Sequence, residues 1–436
     1  MLLNDRDQII AMTAEWTGER YPNGRPRVSD EKIEILKNLT QEEIWQPLYS
    51  CGYRFQFQGD LKPLHPDKKL YGRAVTCCFM PQRPDLRQHV FNVARSRGWK
   101  GDCNQWVIDS LEESDVVVCD LYDKILRGTF VGGNLTTAVK ARTKNGGVVV
   151  WGGVRDLEQM QNIDVQVFYR GVDPTPIRDC QITAFNGPCR IGAAICLPGD
   201  IVIGTKNGIL FVPSHMVDYV IEHAYKSQVR DLYAFPKLEA GIYTTADVDA
   251  VVWNDQMMQA LLNFIDTDPA AAKYRGLDWS VELRAAAGDE AAIDELYRQT
   301  YGPDFPIDAL RARRVQLGEE FFQREPVHPK PGARELLIYL ADRGIPALLA
   351  TGTEYVKARQ ELEETGLWEY LRGSICGSMV TRCKPDPEIY QRAMALTGAI
   401  PGRTLVVEDS QNGIKAGIAA GCKTVLIPDT WTPTGD

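Results

Sequence analysis

Residues 128–158 place together three residue types that handle anions and cations. The stretch Gly128-Thr-Phe-Val-Gly-Gly-Asn-Leu-Thr-Thr-Ala-Val-Lys-Ala-Arg142 reads as a loop running into a helix. Gly146-Gly-Val-Val-Val-Trp-Gly-Gly-Val-Arg-Asp-Leu-Glu158 reads as a strand running into a loop. Gly132, Gly133 and Asn134 ahead of a helix can present unpaired backbone N–H groups to a carboxylate or phosphate. Arg155 after the strand can clamp the same anion through two parallel hydrogen bonds. Asp156 beside it can hold a hard divalent cation, directly or through water. An Arg-Asp dipeptide taken alone is more often a surface ion pair, so the setting has to decide.

That setting is a run of short β-rich segments punctuated by glycine and proline. Ala74-Val-Thr76, Asp115-Val-Val-Val-Cys119, Gly147-Val-Val-Val-Trp151, Gln166-Val-Phe-Tyr169, Ile201-Val-Ile203 and Ile209-Leu-Phe-Val212 are expected strands, with helical stretches between some of them. They predict a compact α/β domain with a mixed sheet over residues 71–265. Residues 1–70 are polar, with a helix expected from Ser29 to Leu39, and read as a surface arm or cap of that domain. Asp266-Thr-Asp-Pro269 supplies the punctuation of a junction. A helical segment over 266–325 should follow, and then 326–436, where apolar strands alternate with helices, including a helix from Val356 to Glu364. That alternation predicts a parallel, doubly wound sheet.

A chain of 436 residues exceeds the size at which single cores stop growing, so several domains are expected. With 44% apolar and 25% charged residues it has the composition of an ordinary globular protein. A formal charge of −9 leaves no electrostatic footprint for nucleic acid or an anionic membrane. Eleven cysteines with no C-x-x-C pair, and no stretch near the roughly 20 apolar residues of a spanning helix, point to reduced thiols in the cytoplasm. The five histidines show no i, i+4 pairing and argue against zinc. The apolar spacing of Met257, Met258, Leu261, Leu262 and Ile265 is that of a packing helix.

Gly152-Gly-Val-Arg-Asp-Leu-Glu-Gln-Met160, with Pro198-Gly-Asp-Ile-Val-Ile203 and Asn207-Gly-Ile-Leu-Phe-Val-Pro213, resembles the RraA-like family, and the likeness extends over about residues 28–265. That family includes the regulator of ribonuclease activity A and metal-dependent 4-hydroxy-4-methyl-2-oxoglutarate aldolases. The resemblance implies a swivelling β/β/α domain assembled as homotrimers or hexamers. It also implies Arg155 on the carboxylate of a pyruvate-like 2-oxo acid, Asp156 anchoring Mg²⁺ or Mn²⁺, and backbone donors from Gly132, Gly133, Asn134 and Leu135. Two positions depart from the aldolase pattern: Asn134 and Trp151 stand where acids are often found.

Arg382-Cys-Lys-Pro-Asp-Pro-Glu-Ile-Tyr390 and Leu405-Val-Val-Glu-Asp-Ser-Gln-Asn-Gly-Ile-Lys-Ala-Gly417 resemble the second half of the haloacid dehalogenase superfamily, nearest its β-phosphoglucomutase-like branch with a helical cap. The resemblance implies a Rossmann-like core with Thr351 and Lys384 at a phosphoryl group and Glu408 and Asp409 at Mg²⁺. Phosphoryl transfer also needs an attacking carboxylate. Asp247-Val-Asp249 has the family's Asp-x-Asp spelling but no apolar strand before it, and if Ala250-Val-Val-Trp253 is the central strand, Asn254 stands at the nucleophile's position. The sheet is therefore expected to lack its central strand, and Thr351, Lys384, Glu408 and Asp409 to be vestigial.

The leading expectation is a metal-dependent lyase that cleaves or decarboxylates a small 2-oxo acid, carrying a phosphatase-like domain without hydrolytic activity. A non-catalytic regulator or scaffold is the alternative, and a phosphatase or phosphomutase the third.

Overall fold

The computed structural model describes residues 2–324 and 327–428, so residues 325–326 and the last eight residues of the expected 326–436 domain lie outside the described residues. The chain divides into two compact units, Met1–Ile307 and Asp308–Asp436.

The first unit is built on an 11-stranded mixed sheet. Its centre is four parallel strands, Leu70–Pro81, Asp115–Lys124, Gly147–Val154 and Gln166–Tyr169, in that spatial order. Valine triplets run through the middle two because strands covered on both faces need apolar side chains on both. Alternation then sorts these side chains. Val117, Cys119, Val148 and Val150 pack under the helices Pro84–Ser96, Cys103–Asp109 and Gly133–Thr143. Val116, Val118 and Val149 face the hairpin of Cys189–Ile191 and Ala194–Cys196. Ile201–Thr205 and Gly208–Val212 extend the sheet antiparallel beyond Leu70–Pro81, and all six strand segments read from the sequence are strands.

The N-terminal segment is not a surface arm. Ser29 caps the helix Asp30–Lys37 as expected, but Val28, Ile33, Leu36, Ile44 and Leu48 are buried against Ile201, Ile203, Leu210 and Val212. The Arg25 guanidinium, 2% exposed, grips the buried carboxylate of Asp115 with bonds of 2.6 and 2.7 Å. The polar composition of 1–70 concealed this because a minority of apolar residues at helical spacing does the packing.

The boundary between the units falls at 307/308 and not near 266. The helices Ser280–Ala286 and Glu290–Tyr301 pack with Val251 and Val252, and Ser50 Oγ donates to the Thr300 carbonyl at 2.9 Å, so residues 266–307 fold with the first unit.

In the second unit, Leu349–Thr351 pairs in parallel with Ser374–Cys376, and Leu405–Glu408 with Lys423–Leu426. Among the described residues no strand joins these two-stranded sheets, so each keeps an unpaired edge. Leu405 and Val407 are exposed where a continuous parallel sheet would cover them. The helix read over Val356–Glu364 is observed as Tyr355–Glu364.

Candidate functional site

Arg155 and Asp156 follow directly on the strand Gly147–Val154, and the Arg155 N–H donates to the Val131 carbonyl at 3.0 Å. That bond ties the end of the strand to the loop before the helix Gly133–Thr143. Asp156 then takes a left-handed conformation, φ 59° and ψ 39°, which aspartate tolerates better than most residues. Its Oδ2 accepts the Gly133 N–H at 3.2 Å, placing a carboxylate at the positive end of the helix. A side chain at position 132 would put its Cβ 2.4 Å from that oxygen and would push the carboxylate out of this place.

The first backbone bond of this helix runs from the Thr136 N–H to the Gly132 carbonyl, which leaves the N–H groups of Asn134 and Leu135 in the orphan first turn. Asn134 is exposed, while the Leu135 side chain packs on the core beneath. The Arg155 Nε lies 3.8 Å from Asp156 Oδ2, and each side chain is about one-third exposed, 35% and 34%. Gly132, Gly133, Asn134, Leu135, Arg155 and Asp156 therefore meet at one open mouth. It offers a cation for a carboxylate, an anion for a metal ion, and backbone donors for a developing negative oxygen.

No group of three or more His, Cys, Asp or Glu suited to a metal gathers among the described residues. Asp156 thus fits an ion such as Mg²⁺ that keeps most of its water and takes one protein carboxylate.

Trp151 lies on the other face of the sheet. Val148, Val150 and Val154 belong to the layer that carries the helix Gly133–Thr143, whereas Trp151 packs with Val149 and Phe168. Its ring stacks under the Arg170 guanidinium at 4.5 Å, and Arg170 is itself held by Asp123 at 3.1 Å. Register pairs Trp151 with Asp120, a residue that sequence reasoning missed. Burial pushes the Asp120 carboxyl up against the pull of the Tyr122 N–H and of Arg190. An acid closing a valine run was its only signal.

Both residues considered for the phosphatase nucleophile serve helix N-termini in the first unit. Asp247 forms a reciprocal capping box with Thr244, is exposed, and has its carboxyl held low by the Thr244 hydroxyl. Asn254 accepts the Met257 N–H at 2.9 Å at the start of the helix Asp255–Thr267, and Ala250–Trp253 forms no strand.

In the second unit Lys384 donates to the Ala350 carbonyl at 2.9 Å and forms a tight ion pair with Glu408. Glu408 also accepts from the Tyr390 hydroxyl and, at 2.9 Å, from Ser410 Oγ. Burial raises the Glu408 carboxyl, but the Lys384, Tyr390 and Ser410 bonds outweigh it and hold the group below its ordinary value. The Thr351 hydroxyl stays local, donating to Thr353 Oγ1 at 3.1 Å, and Asp409 is exposed. The fold gathers Lys384 and Glu408, with Thr351 one residue beyond the Ala350 carbonyl.

Residues 26–211 match the RraA-like family described as Aldolase/RraA, and residues 228–421 match the haloacid dehalogenase-like hydrolases. Protein CbbY of Rhodobacter capsulatus is 30% identical over 175 residues, which cover 37% of this chain and 76% of that protein. The chain belongs to the haloacid dehalogenase-like hydrolases, and its first part is similar to the RraA-like family. Its haloacid dehalogenase-like part is 33% identical over 113 residues to the phosphorylated carbohydrates phosphatase of Thermotoga maritima, covering 26% of this chain and 52% of the relative. The chain thus spans about half the length of that phosphatase. The RraA-like part is similar to the solved structure of Streptomyces coelicolor RraAS2, at 21% identity and a TM-score of 0.40, over 48% of this chain and 98% of that one. These relatives lend no support to an inert second domain. Among the described residues no aspartate stands on a strand of that domain. No helix among them is long and apolar enough to cross a membrane.

Proposed function

We propose that the RraA-like domain is a divalent-metal-dependent lyase that cleaves or decarboxylates a small 2-oxo acid and releases pyruvate. The observation that carries this reading is the meeting of the Arg155 guanidinium, the Asp156 carboxylate and a helix N-terminus at one open mouth. Arg155 holds the substrate carboxylate, and its planar fork fixes the plane of the adjoining carbonyl. When the bond to the departing carbon breaks, the electron pair moves toward the carbonyl oxygen, where the Asn134 and Leu135 N–H groups face the growing charge. Mg²⁺ or Mn²⁺ at Asp156 would supply further charge stabilisation there. The Gly133 N–H holds the Asp156 carboxylate at 3.2 Å, with the Arg155 Nε 3.8 Å from the same oxygen.

The haloacid dehalogenase-like domain is read as non-hydrolytic, because Lys384 already neutralises Glu408 and, among the described residues, no aspartate stands on a strand of the domain. Its relatives' phosphatase names favour the opposite reading, so the two are tested side by side. Pyruvate release from oxaloacetate and from 4-hydroxy-4-methyl-2-oxoglutarate should require Mg²⁺ or Mn²⁺. Arg155→Ala should lower kcat/KM by about 100-fold or more, the scale of losing one oxyanion donor. Release indifferent to Arg155 would remove the lyase reading. Phosphate release from sugar phosphates should stay at background with the same preparation, and metal-dependent turnover would show the second domain to be a working phosphatase.

A further inference from the structure

A cavity of about 260 Å³ opens in the first unit and shares no residue with the Arg155 mouth. Five separate segments supply its wall, among them Met12 and Glu15 near the N-terminus, Tyr53, Ile195 of the hairpin, Asp200 at the turn into Ile201–Thr205, and His215. Asp200 is 4% exposed. Its carboxylate accepts the Leu197 N–H at 2.8 Å and the Ser214 N–H, yet no lysine or arginine lines the cavity. A buried carboxylate without a cation is expensive to ionise, and burial raises this one to about 7. The Tyr53 hydroxyl and His215 Nε2 are 2.8 Å apart, and burial lowers the imidazole, so the pair is neutral at neutral pH. The remaining wall is largely apolar, and the only charges offered to a ligand are the carboxylates of Glu15 and Asp200.

We infer that this cavity binds a small organic cation, an ammonium group on a short apolar body, with Asp200 as its counter-ion and Tyr53 and His215 as its walls. The ammonium satisfies the one buried charge that the protein leaves without an opposite partner at this place. The Tyr53 ring adds the attraction of a π face, and Met12 and Ile195 take the apolar body. The volume limits the ligand to a small one. Asp200 also fixes the turn through its two backbone bonds, and that role alone would leave the cavity indifferent to ligand charge.

The titratable groups around Asp200 are Glu15, Tyr53, Cys196 and His215; loss of the His215 proton also favours a cation, but burial moves that step to lower pH, away from the Asp200 window near 7. Cation binding should therefore expel a proton below about pH 7 and strengthen as pH rises to that point. Isothermal titration of the full chain with n-butylammonium, n-butanol and butyrate tests this. Butylammonium should bind about tenfold or more tighter than butanol, with butyrate weakest. Asp200→Asn should erase the preference, and Glu15→Gln, a change at an exposed side chain, should reduce it. Equal binding of the alcohol and the ammonium, or no saturable binding of the cation by folded protein, would overturn the proposal. If Asp200→Asn fails to fold, the wild-type pH profile decides: an affinity flat between about pH 6.5 and about pH 8 would refute it as well.

Discussion

At the scale of single residues, the chain places two carboxylates in opposed circumstances. Asp156 sits where a helix end and an arginine welcome its negative charge, while Asp200 is enclosed with only backbone donors for company. The second case has a consequence for stability. Because the folded Asp200 carboxyl titrates near 7 and the unfolded one near 4, the folded protein holds more protons between those values, so stability falls as pH rises through that window. Asp200→Asn removes this dependence. Denaturant unfolding of both proteins from about pH 4 to about pH 8 should show the wild type losing ground to the variant up to about pH 7 and running parallel above it. Parallel curves throughout would mean that Asp200 is not raised. The Arg155 and Asp156 pair was legible in the sequence because both residues are consecutive on a glycine-flanked loop. In the sequence Asp200 reads only as part of a Pro-Gly turn and a family motif, since its singular property arises from enclosure by Met12, Tyr53 and His215, residues remote from it in the chain.

At the scale of elements, the strands were the most readable part, because valine triplets bounded by glycine have few other uses. What the sequence did not reveal was how the N-terminal segment attaches. Arg25 reaches across to Asp115 at the start of a central strand, where both charges are almost wholly buried. Pairs of this kind contribute little beyond an apolar replacement but are costly to break from one side. Arg25→Met should therefore destabilise the protein by about 3 to 5 kcal/mol, and Arg25→Met combined with Asp115→Leu should recover most of the loss, as read from urea midpoints. A single variant within about 1 kcal/mol of wild type would show the pair to be dispensable. Trp151 illustrates a different failure of local reading. Its departure from the aldolase pattern suggested a change at the Arg155 mouth, but strand alternation sends its ring to the opposite layer. Parity along a strand decides such cases, and motif spelling alone does not use it.

At the scale of the whole molecule, the two units differ in how well they are closed. The first buries both faces of a broad sheet, whereas the second rests on two separate pairs of short strands and leaves Leu336, Tyr339, Leu405 and Val407 exposed. Two-stranded pieces are marginal without further support. Native-state hydrogen exchange should therefore show Leu405–Glu408 and Leu349–Thr351 exchanging orders of magnitude faster than Asp115–Lys124 and Gly147–Val154. Equal protection would mean that the second unit is completed by something beyond the described residues. That no strand among the described residues joins the two pairs agrees with motif order, since Asp247 lies in the first turn of one helix and Asn254 caps another.

On the reading that the second domain is non-hydrolytic, Lys384 limits what a grafted strand could do. Its ammonium is already shared between the Ala350 carbonyl and Glu408, and Glu408 is further secured by Tyr390 and Ser410. Grafting a strand that ends in aspartate would bring a second carboxylate to a cation that is no longer free. The newcomer would meet the repulsion of Glu408 before it met any phosphate, and would be driven toward its protonated, non-nucleophilic form. On that reading, phosphate transfer would require loosening the Tyr390 and Ser410 bonds as well as supplying the strand, so insertion alone should leave a folded but silent domain.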